Sequence, residues 1–340
     1  MKKLLVFIIL LVLAGCSSGE PSFNPVNYRV GAEGIVMQFS NNAPPATLRT
    51  GEEFTISLNV ENRGATTSGA VINLFFDRFY ISRSDDYFQG GSSIYTSINE
   101  LTGRSEFFPQ GERTLKNIGR FRVSNNIGER AEPTTTIRAN ICYPYETFFS
   151  TTTCIKTDYY SEERDTCQVR TTTHRSQGAP IAVTRVQPEM IPRGLGTYAG
   201  TQTFYNSGLF YIFNEIINLP TEEQLQLLVP QFEIEIRNLG SGDVFLGLGN
   251  TNNLHSCEPS LFDQRQQGLV AIEAFLGEAK LDCGSNTLRF EGSVASTTCT
   301  LGVGTSLENF RPGPSYDELI TIHLKYLYVD SIQRDIRIRR

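Results

Sequence analysis

The chain has 340 residues, a formal net charge of −6, 19% charged residues and 39% hydrophobic residues. This composition is typical of a folded globular protein and excludes a disordered tail. The negative charge argues against a nucleic-acid partner, because such proteins present basic patches. Phe and Tyr are plentiful, and 29 Gly and 15 Pro separate short apolar runs, which favours an all-β fold.

The first element along the chain is a leader-like segment. Lys2 and Lys3 precede an unbroken apolar run, Leu4–Leu13, which is too short to span a membrane and fits a secretory signal peptide. The sequence Leu-Ala-Gly-Cys then ends at Cys16. It resembles the lipobox of prokaryotic lipoproteins, in which the peptide is cut before the Cys and the Cys carries a lipid. An ordinary signal peptide with a chance Cys is the alternative.

This resemblance implies a signal peptide over residues 1–15 and a tether over residues 16–27. Cys16 would carry the lipid, and its thiol would not be free for a disulfide. The lipid would hold the protein at the cell membrane, exported and facing outside the cytoplasm. The membrane is therefore the first expected partner.

Residues 28–156 are predicted to form a first β-domain. Short alternating runs separated by turn residues are typical of an immunoglobulin-like sandwich. The aromatic-rich stretch Tyr80–Ile98 is interpreted as a loop. The predicted strands before the closing hairpin are Gly34–Phe39, Phe54–Val60, Val71–Phe76 and Gly119–Val123.

The closing hairpin is predicted from an internal repeat. Residues Ile137–Lys156 align without a gap with residues 320–339, so that Tyr143 falls on Tyr326 and Tyr145 on Tyr328. Apolar residues alternate in both copies, which is a strand signal. One face would carry Ile137, Ala139, Ile141, Tyr143 and Tyr145, and in the second copy Ile320, Ile322, Leu324, Tyr326 and Tyr328. We interpret each copy as a hairpin of the last two strands of a domain.

A polar linker over residues 157–177 precedes a second β-domain, 178–340, with an insertion at 188–230. Within the insertion, Thr221 and the acids after it predict a short helix that leads into Gln224–Val229. The predicted strands are Gly178–Val183, Phe232–Ile236, Val270–Leu276, Leu281–Cys283, Leu288–Phe290, Thr297–Leu301 and the terminal hairpin.

Each domain contains an Asn-x-Gly turn after a half-buried strand, in Val60–Gly64 and Ile236–Gly240. At these two positions the chain resembles CARDB-like and other immunoglobulin-like modules of prokaryotic surface proteins. The motif covers a small part of each domain. The resemblance implies two tandem immunoglobulin-like β-sandwiches used for adhesion or as spacers, and it does not imply an enzyme.

Six cysteines follow Cys16, and an even number in an exported chain predicts disulfides. The hairpin register places Cys142 opposite Cys154 on the outer face, with a shift by one residue pair as the alternative. A second predicted pair is Cys283–Cys299. Cys167 and Cys257 would then tie the linker to the second domain. Free thiols at some of these positions are the alternative.

No metal, cofactor or catalytic site is predicted. The chain has no C-x₂-C pair, and His174, His255 and His323 are scattered, which argues against zinc. Gly302–Ser306 is not a hydrolase nucleophile elbow. His255 and Cys257 would form a nucleophile pair only if Cys257 stays outside a disulfide. A hydrolase is therefore the least favoured hypothesis.

Aromatic residues on predicted loops are the candidate partner contacts. Packing of these side chains within the protein is the alternative. We expect a lipid-anchored surface protein that binds an unknown protein or envelope polymer through its loops. A structural envelope or filament component that self-associates through strand edges is the alternative function. The candidate contacts are Phe148 and Phe149 at the hairpin tip and Phe204, Tyr205, Phe210, Tyr211 and Phe213 in the insertion.

Overall fold

A computed structural model of the protein describes residues 27–84, 93–128, 132–156, 165–192, 228–247, 257, 262–301 and 315–340. These residues form two β-sandwiches with almost entirely antiparallel pairing, so the all-β prediction is confirmed. No helix among them has the length and apolar character needed to cross a membrane. The leader, residues 16–26 of the tether with Cys16, residues 221–227 of the predicted helix, and Phe204, Tyr205, Phe210, Tyr211 and Phe213 of the insertion lie outside the described residues. Leu228 and Val229, at the end of the predicted helix, are described and belong to the strand Leu228–Asn238, so the helix prediction is wrong for these two residues.

The first sandwich packs a four-stranded sheet, in the order β1-β3-β7-β5, against one end of a larger sheet, in the order β6-β4-β8. Buried side chains alternate along β3, as the sequence predicts for a half-buried strand. The strands are β1 (Ile35–Phe39), β2 (Thr47–Arg49), β3 (Glu53–Asn62), β4 (Ser68–Phe75), β5 (Ile81–Arg83), β6 (Ser93–Leu101), β7 (Arg113–Val123) and β8 (Thr134–Ile155).

The second sandwich repeats this plan. One layer has the order β9-β10-β11-β16, the other contains β17 and β13, and β14 pairs with both β13 and β16. A 3₁₀ turn at Gln264–Gln266 precedes β13. The strands are β9 (Thr172–Thr173), β10 (Ile181–Pro192), β11 (Leu228–Asn238), β12 (Asp243–Leu246), β13 (Leu269–Leu276), β14 (Ala279–Asp282), β15 (Thr287–Arg289), β16 (Val294–Leu301) and β17 (Tyr316–Arg339).

The two repeat copies are single long strands, so the hairpin prediction is wrong. β8 and β17 pair antiparallel without a break, from Ile155 opposite Tyr316 to Thr134 opposite Arg337. No Gly, Pro, Asn or Asp lies between Tyr145 and Ile155 to form a turn. The burial alternation instead continues through this stretch, and the predicted inner face of each copy is buried as expected.

Pro144 lies directly opposite Leu327 in this ladder, and the sequence repeat aligns the same two residues. A local two-fold axis therefore passes between them and relates the two copies. Pro144 is tolerated here because its missing N–H falls on the side of β4, where no ladder bond requires it; on that side its carbonyl accepts a hydrogen bond from Ser68 Oγ at 2.5 Å. Its nitrogen faces the same side, where the ladder between β4 and β8 reaches only to Cys142.

Each long strand passes from one sandwich into the other. In the second half of β8, Thr147 Oγ1 donates to the carbonyl of Ile181 at 2.6 Å. In the second half of β17, Ile336 and Ile338 are fully buried, and the strand pairs in parallel with β2 of the first sandwich. The two sandwiches thus share one sheet and one continuous hydrophobic core.

Several elements differ from their predicted extents. The stretch Tyr80–Ile98, interpreted as a loop, contributes β5 and part of β6. Part of the predicted linker forms β9, which pairs with the edge of β10. β10 and β11 extend their pairing to Pro192 opposite Leu228, so both ends of the predicted insertion belong to the sheet.

Candidate functional site

The six described cysteines form three disulfides. They are Cys142–Cys257, Cys154–Cys167 and Cys283–Cys299, with Cα atoms 5.5, 5.7 and 3.9 Å apart. The predicted pair Cys283–Cys299 is confirmed. The pair Cys142–Cys154 is wrong because both residues lie on the continuous strand β8, and Cys167–Cys257 is wrong because each pairs elsewhere. Since Cys257 is bonded, it cannot act as a nucleophile with His255.

Cys154, Cys167 and Asp317 bring their potential ligand atoms within 4.8 Å of one another. Thiolates bind metals, whereas the sulfurs of a disulfide do not provide that chemistry. With Cys154 and Cys167 bonded to each other, this group is a disulfide beside a carboxylate.

Cys142 marks a small apolar cluster on the outer face of the shared sheet, as predicted for that side chain. It packs with Leu327 beside the two-fold axis and with Phe245, Cys257 and Phe262. The cluster is Val71, Cys142, Phe245, Cys257, Leu327 and Val329, with Phe262 packed on it. The disulfide attaches Cys257 to β8, and Cys142 and Leu327 are buried, so this part of the outer face is not open to a partner.

Tyr145 and Tyr328, which the repeat aligns, accept hydrogen bonds from the Asn-x-Gly turns. Asn62 Nδ2 donates to the carbonyl of Thr66 at 2.8 Å, and Asn62 Oδ1 accepts from the Gly64 N–H at 3.1 Å. The Tyr145 hydroxyl in turn accepts from the Thr66 N–H at 3.1 Å. The turn at Asn238 has the same bonds, with Tyr328 as its tyrosine. The sequence contains both the repeated tyrosines and the Asn-x-Gly turns. It does not show the hydrogen bonds between them, because these depend on where the long strands place the tyrosines.

Phe148 and Phe149, predicted at a hairpin tip, lie in the middle of β8. Phe149 points inward, is 4% exposed and packs edge-on against His174 with ring centroids 4.6 Å apart. It is therefore not a partner contact. Phe148 points outward and is 36% exposed, with the Arg29 guanidinium 4.7 Å above its ring.

Phe148 belongs to an aromatic and apolar surface on three neighbouring strands. His323 lies opposite Phe148 on β17, with ring centroids 4.7 Å apart, and Phe275 on β13 lies 6.2 Å from the His323 ring. Leu319, four residues before His323 on the same face of β17, is 47% exposed. We name Phe148, Phe275, Leu319 and His323 the Phe148 face.

Two lysines and two glutamates beside the Phe148 face pair with one another. Lys325 Nζ lies 3.0 Å from a carboxylate oxygen of Glu273 and 3.8 Å from one of Glu146, and Lys280 lies 3.6 Å from Glu273. The hydrogen bond from Lys325 lowers the pKa of Glu273 and raises the pKa of Lys325. These two lysines and two glutamates are therefore paired with one another, whereas the Arg29 guanidinium adds a positive charge above Phe148.

A cavity of about 410 Å³ lies beside the Cys154–Cys167 disulfide, and its lining residue Thr152 is opposite Leu319 of the Phe148 face. Arg170 and Asp317 are exposed at its wall and bring opposite charges to it. The other lining residues are Thr152, Thr153, Cys154, Cys167, Gln168 and Thr172. The cavity extends the Phe148 face with groups that form hydrogen bonds.

No protein-family model matches the chain, and no curated protein matches it. The function is therefore argued from the fold, the disulfides and the surface chemistry.

Proposed function

We propose that the protein is an exported, lipid-anchored surface protein that binds an envelope component through the Phe148 face. The lipobox-like sequence ending at Cys16 supports the anchor. The three disulfides suit an oxidising compartment outside the cytoplasm. The single observation that carries the binding role is the exposed Phe148 face on a rigid sheet. Exposed aromatic residues anchor many protein interfaces.

The shared sheet is a suitable platform for recognition. Phe148 and His323 lie on the two longest strands, which pair with each other over their full common length. His323 lies on a strand that is paired on both sides, with β8 and with β13, so its backbone is fixed before binding, which favours affinity. The partner is a protein or envelope polymer that offers an apolar or aromatic surface.

The binding role is tested by sedimentation of the purified protein with isolated envelopes. Phe148→Ala combined with Leu319→Ala should weaken retention about tenfold or more, as expected for the loss of a central aromatic anchor. Tyr95→Ala is the matched control, because Tyr95 is 70% exposed on β6 of the first sandwich. Equal retention of all three proteins would rule out the Phe148 face.

The anchor is tested separately by fatty-acid labelling and cell fractionation. Cys16→Ser should abolish both the label and the membrane association of the mature protein, while the disulfides still form. Membrane association of Cys16→Ser without label would contradict lipidation at this residue.

A second function, self-association through strand edges, is favoured by one observation. Pro144 directs its carbonyl away from β17, and so do alternate residues after it, including Phe148, Ser150 and Thr152. Among the described strands, none pairs with β8 on that side beyond Cys142. An open edge is a template for another strand. Sedimentation velocity tests this role, and a strict monomer at high concentration would exclude it.

A further inference from the structure

A second cavity, of about 360 Å³, lies on the first sandwich beside the start of the described chain. Its wall includes the side chains of Tyr28, Val30 and Pro109, which offer apolar surface, and those of Glu61 and Arg104, which are charged. Its volume falls at the lower end of the range of about 300–1,000 Å³ that small-molecule sites occupy.

Arg104 is the unusual residue of this cavity. Its backbone N–H donates to the carbonyl of Gly64 at 2.7 Å, which fixes where its side chain begins. Its Nε atom is shielded from solvent and has no hydrogen-bond partner. Within the described part of the chain, no carboxylate forms an ion pair with it. Glu61 is engaged by Arg63 at 3.1 Å, and Arg63 also lies 3.4 Å from Glu33.

Arg104 as a whole is only partly buried, so an anion in the cavity would engage its other guanidinium nitrogens and not the shielded Nε. A planar oxyanion satisfies a guanidinium well, because charge-assisted hydrogen bonds to carboxylate or phosphate are strong and can be bidentate. The cavity also has room for an organic group beside the anion. Tyr28, Val30 and Pro109 provide the apolar wall against which that group would pack.

We propose that this cavity binds a small organic oxyanion. Its carboxylate or phosphate lies on Arg104, and its apolar part packs against Tyr28, Val30 and Pro109. The site is separate from the Phe148 face and does not depend on the lipid anchor. It therefore goes beyond the proposed function, and its test does not depend on the outcome for the Phe148 face.

The test is calorimetric titration of the full chain in a neutral detergent with hexanoate and with hexyl phosphate. Hexanol is the neutral control ligand, because it has the same apolar chain and no anion. At least one of the two anions should bind, and Arg104→Met should weaken that binding about tenfold or more. Arg120→Met is the matched control, because Arg120 is an exposed arginine of the same sandwich, and it should leave the affinity unchanged.

Equal affinity of Arg104→Met and the native chain would overturn the proposal, as would no binding of either anion or equally tight binding of hexanol. Urea unfolding without ligand provides a second readout. If Arg104 serves to bind an anion, Arg104→Met should be at least as stable as the native chain without ligand, because it removes a shielded guanidinium nitrogen that has no hydrogen-bond acceptor. A clear loss of stability would instead indicate a structural role for Arg104 and would contradict the proposal.

Discussion

The hydroxyl of Tyr328 accepts a hydrogen bond from the backbone N–H of Gly242 at 2.7 Å. Tyr328→Phe leaves this N–H without its partner, so we expect a loss of about 1–3 kcal/mol in the free energy of unfolding, measured by urea denaturation. Tyr145→Phe should have a similar effect through Thr66. Tyr95→Phe, at a 70% exposed position, should be neutral. An effect at Tyr95 as large as that at Tyr328 would contradict this account.

Asn62→Ala should destabilise the protein more than Asn238→Ala. Asn62 is fully buried, and its Nδ2 donates to the carbonyls of both Thr66 and Leu101, at 2.8 and 2.9 Å. Asn238 is only partly buried, and its Nδ2 donates to Gly242. We expect about 2–4 kcal/mol for Asn62→Ala and about 1–2 kcal/mol for Asn238→Ala, by urea denaturation. The reverse order would contradict the stabilising role given to the burial of Asn62 and to its additional hydrogen bond with Leu101.

Removal of different disulfides should lower the free energy of unfolding by different amounts. Cys142 and Cys257 are 115 residues apart in sequence, whereas Cys154 and Cys167 are 13 apart. The chain-entropy model predicts a loss of about 4–5 kcal/mol for the first bond and about 3 kcal/mol for the second. Double Cys→Ala variants compared by urea denaturation test this order.

Peptide mapping under non-reducing conditions tests the connectivity itself. A linked pair of peptides containing Cys142 and Cys257 is expected. A peptide pair linking Cys142 to Cys154 would restore the hairpin prediction and contradict the continuous strand β8.

Stability should fall at alkaline pH. Burial raises the pKa of Tyr328 to about 12, and it also raises the pKa values of Tyr143, Tyr145 and Tyr326. An unfolded tyrosine has a pKa of about 10. Because the folded-state value is the higher one, this contribution is fully present below pH of about 10 and is lost as the pH rises through about 12.

The urea midpoint should therefore stay level from about pH 7 to 9 and then decrease, while absorbance follows tyrosinate formation. Tyr328→Phe should make the alkaline decrease shallower. A midpoint that stays level through about pH 12 would contradict burial of these hydroxyls.

The alternation along Ile137–Tyr145 and Ile320–Tyr328 was enough to predict the buried face of both long strands. It was not enough to predict where the strands end. A hairpin and a continuous strand have the same period of two residues, so only turn residues distinguish them. The lack of Gly, Pro, Asn or Asp from Glu146 to Ile155 was the signal that favoured one strand.

The candidate site was predictable only in part. The sequence analysis named Phe148 as a candidate contact, but it placed Phe148 at the tip of a hairpin that does not form. Its neighbours His323 and Phe275 come from strands more than a hundred residues away in sequence, and pairing at that range is not encoded in local pattern. The partner of Cys142 could not be predicted either, because six cysteines allow 15 connectivities.

The exchange of β8 and β17 between the sandwiches has a consequence for synthesis. Arg334 Nη1 donates to the carbonyl of Ser40, across 294 residues of chain. The first half of the chain therefore cannot finish its own core until Ile336 and Ile338 have been made. Contacts at such separations slow folding. A nascent chain that ends at Gln177 would leave one flank of β8 unpaired, so the two sandwiches should fold together, after the last strand emerges.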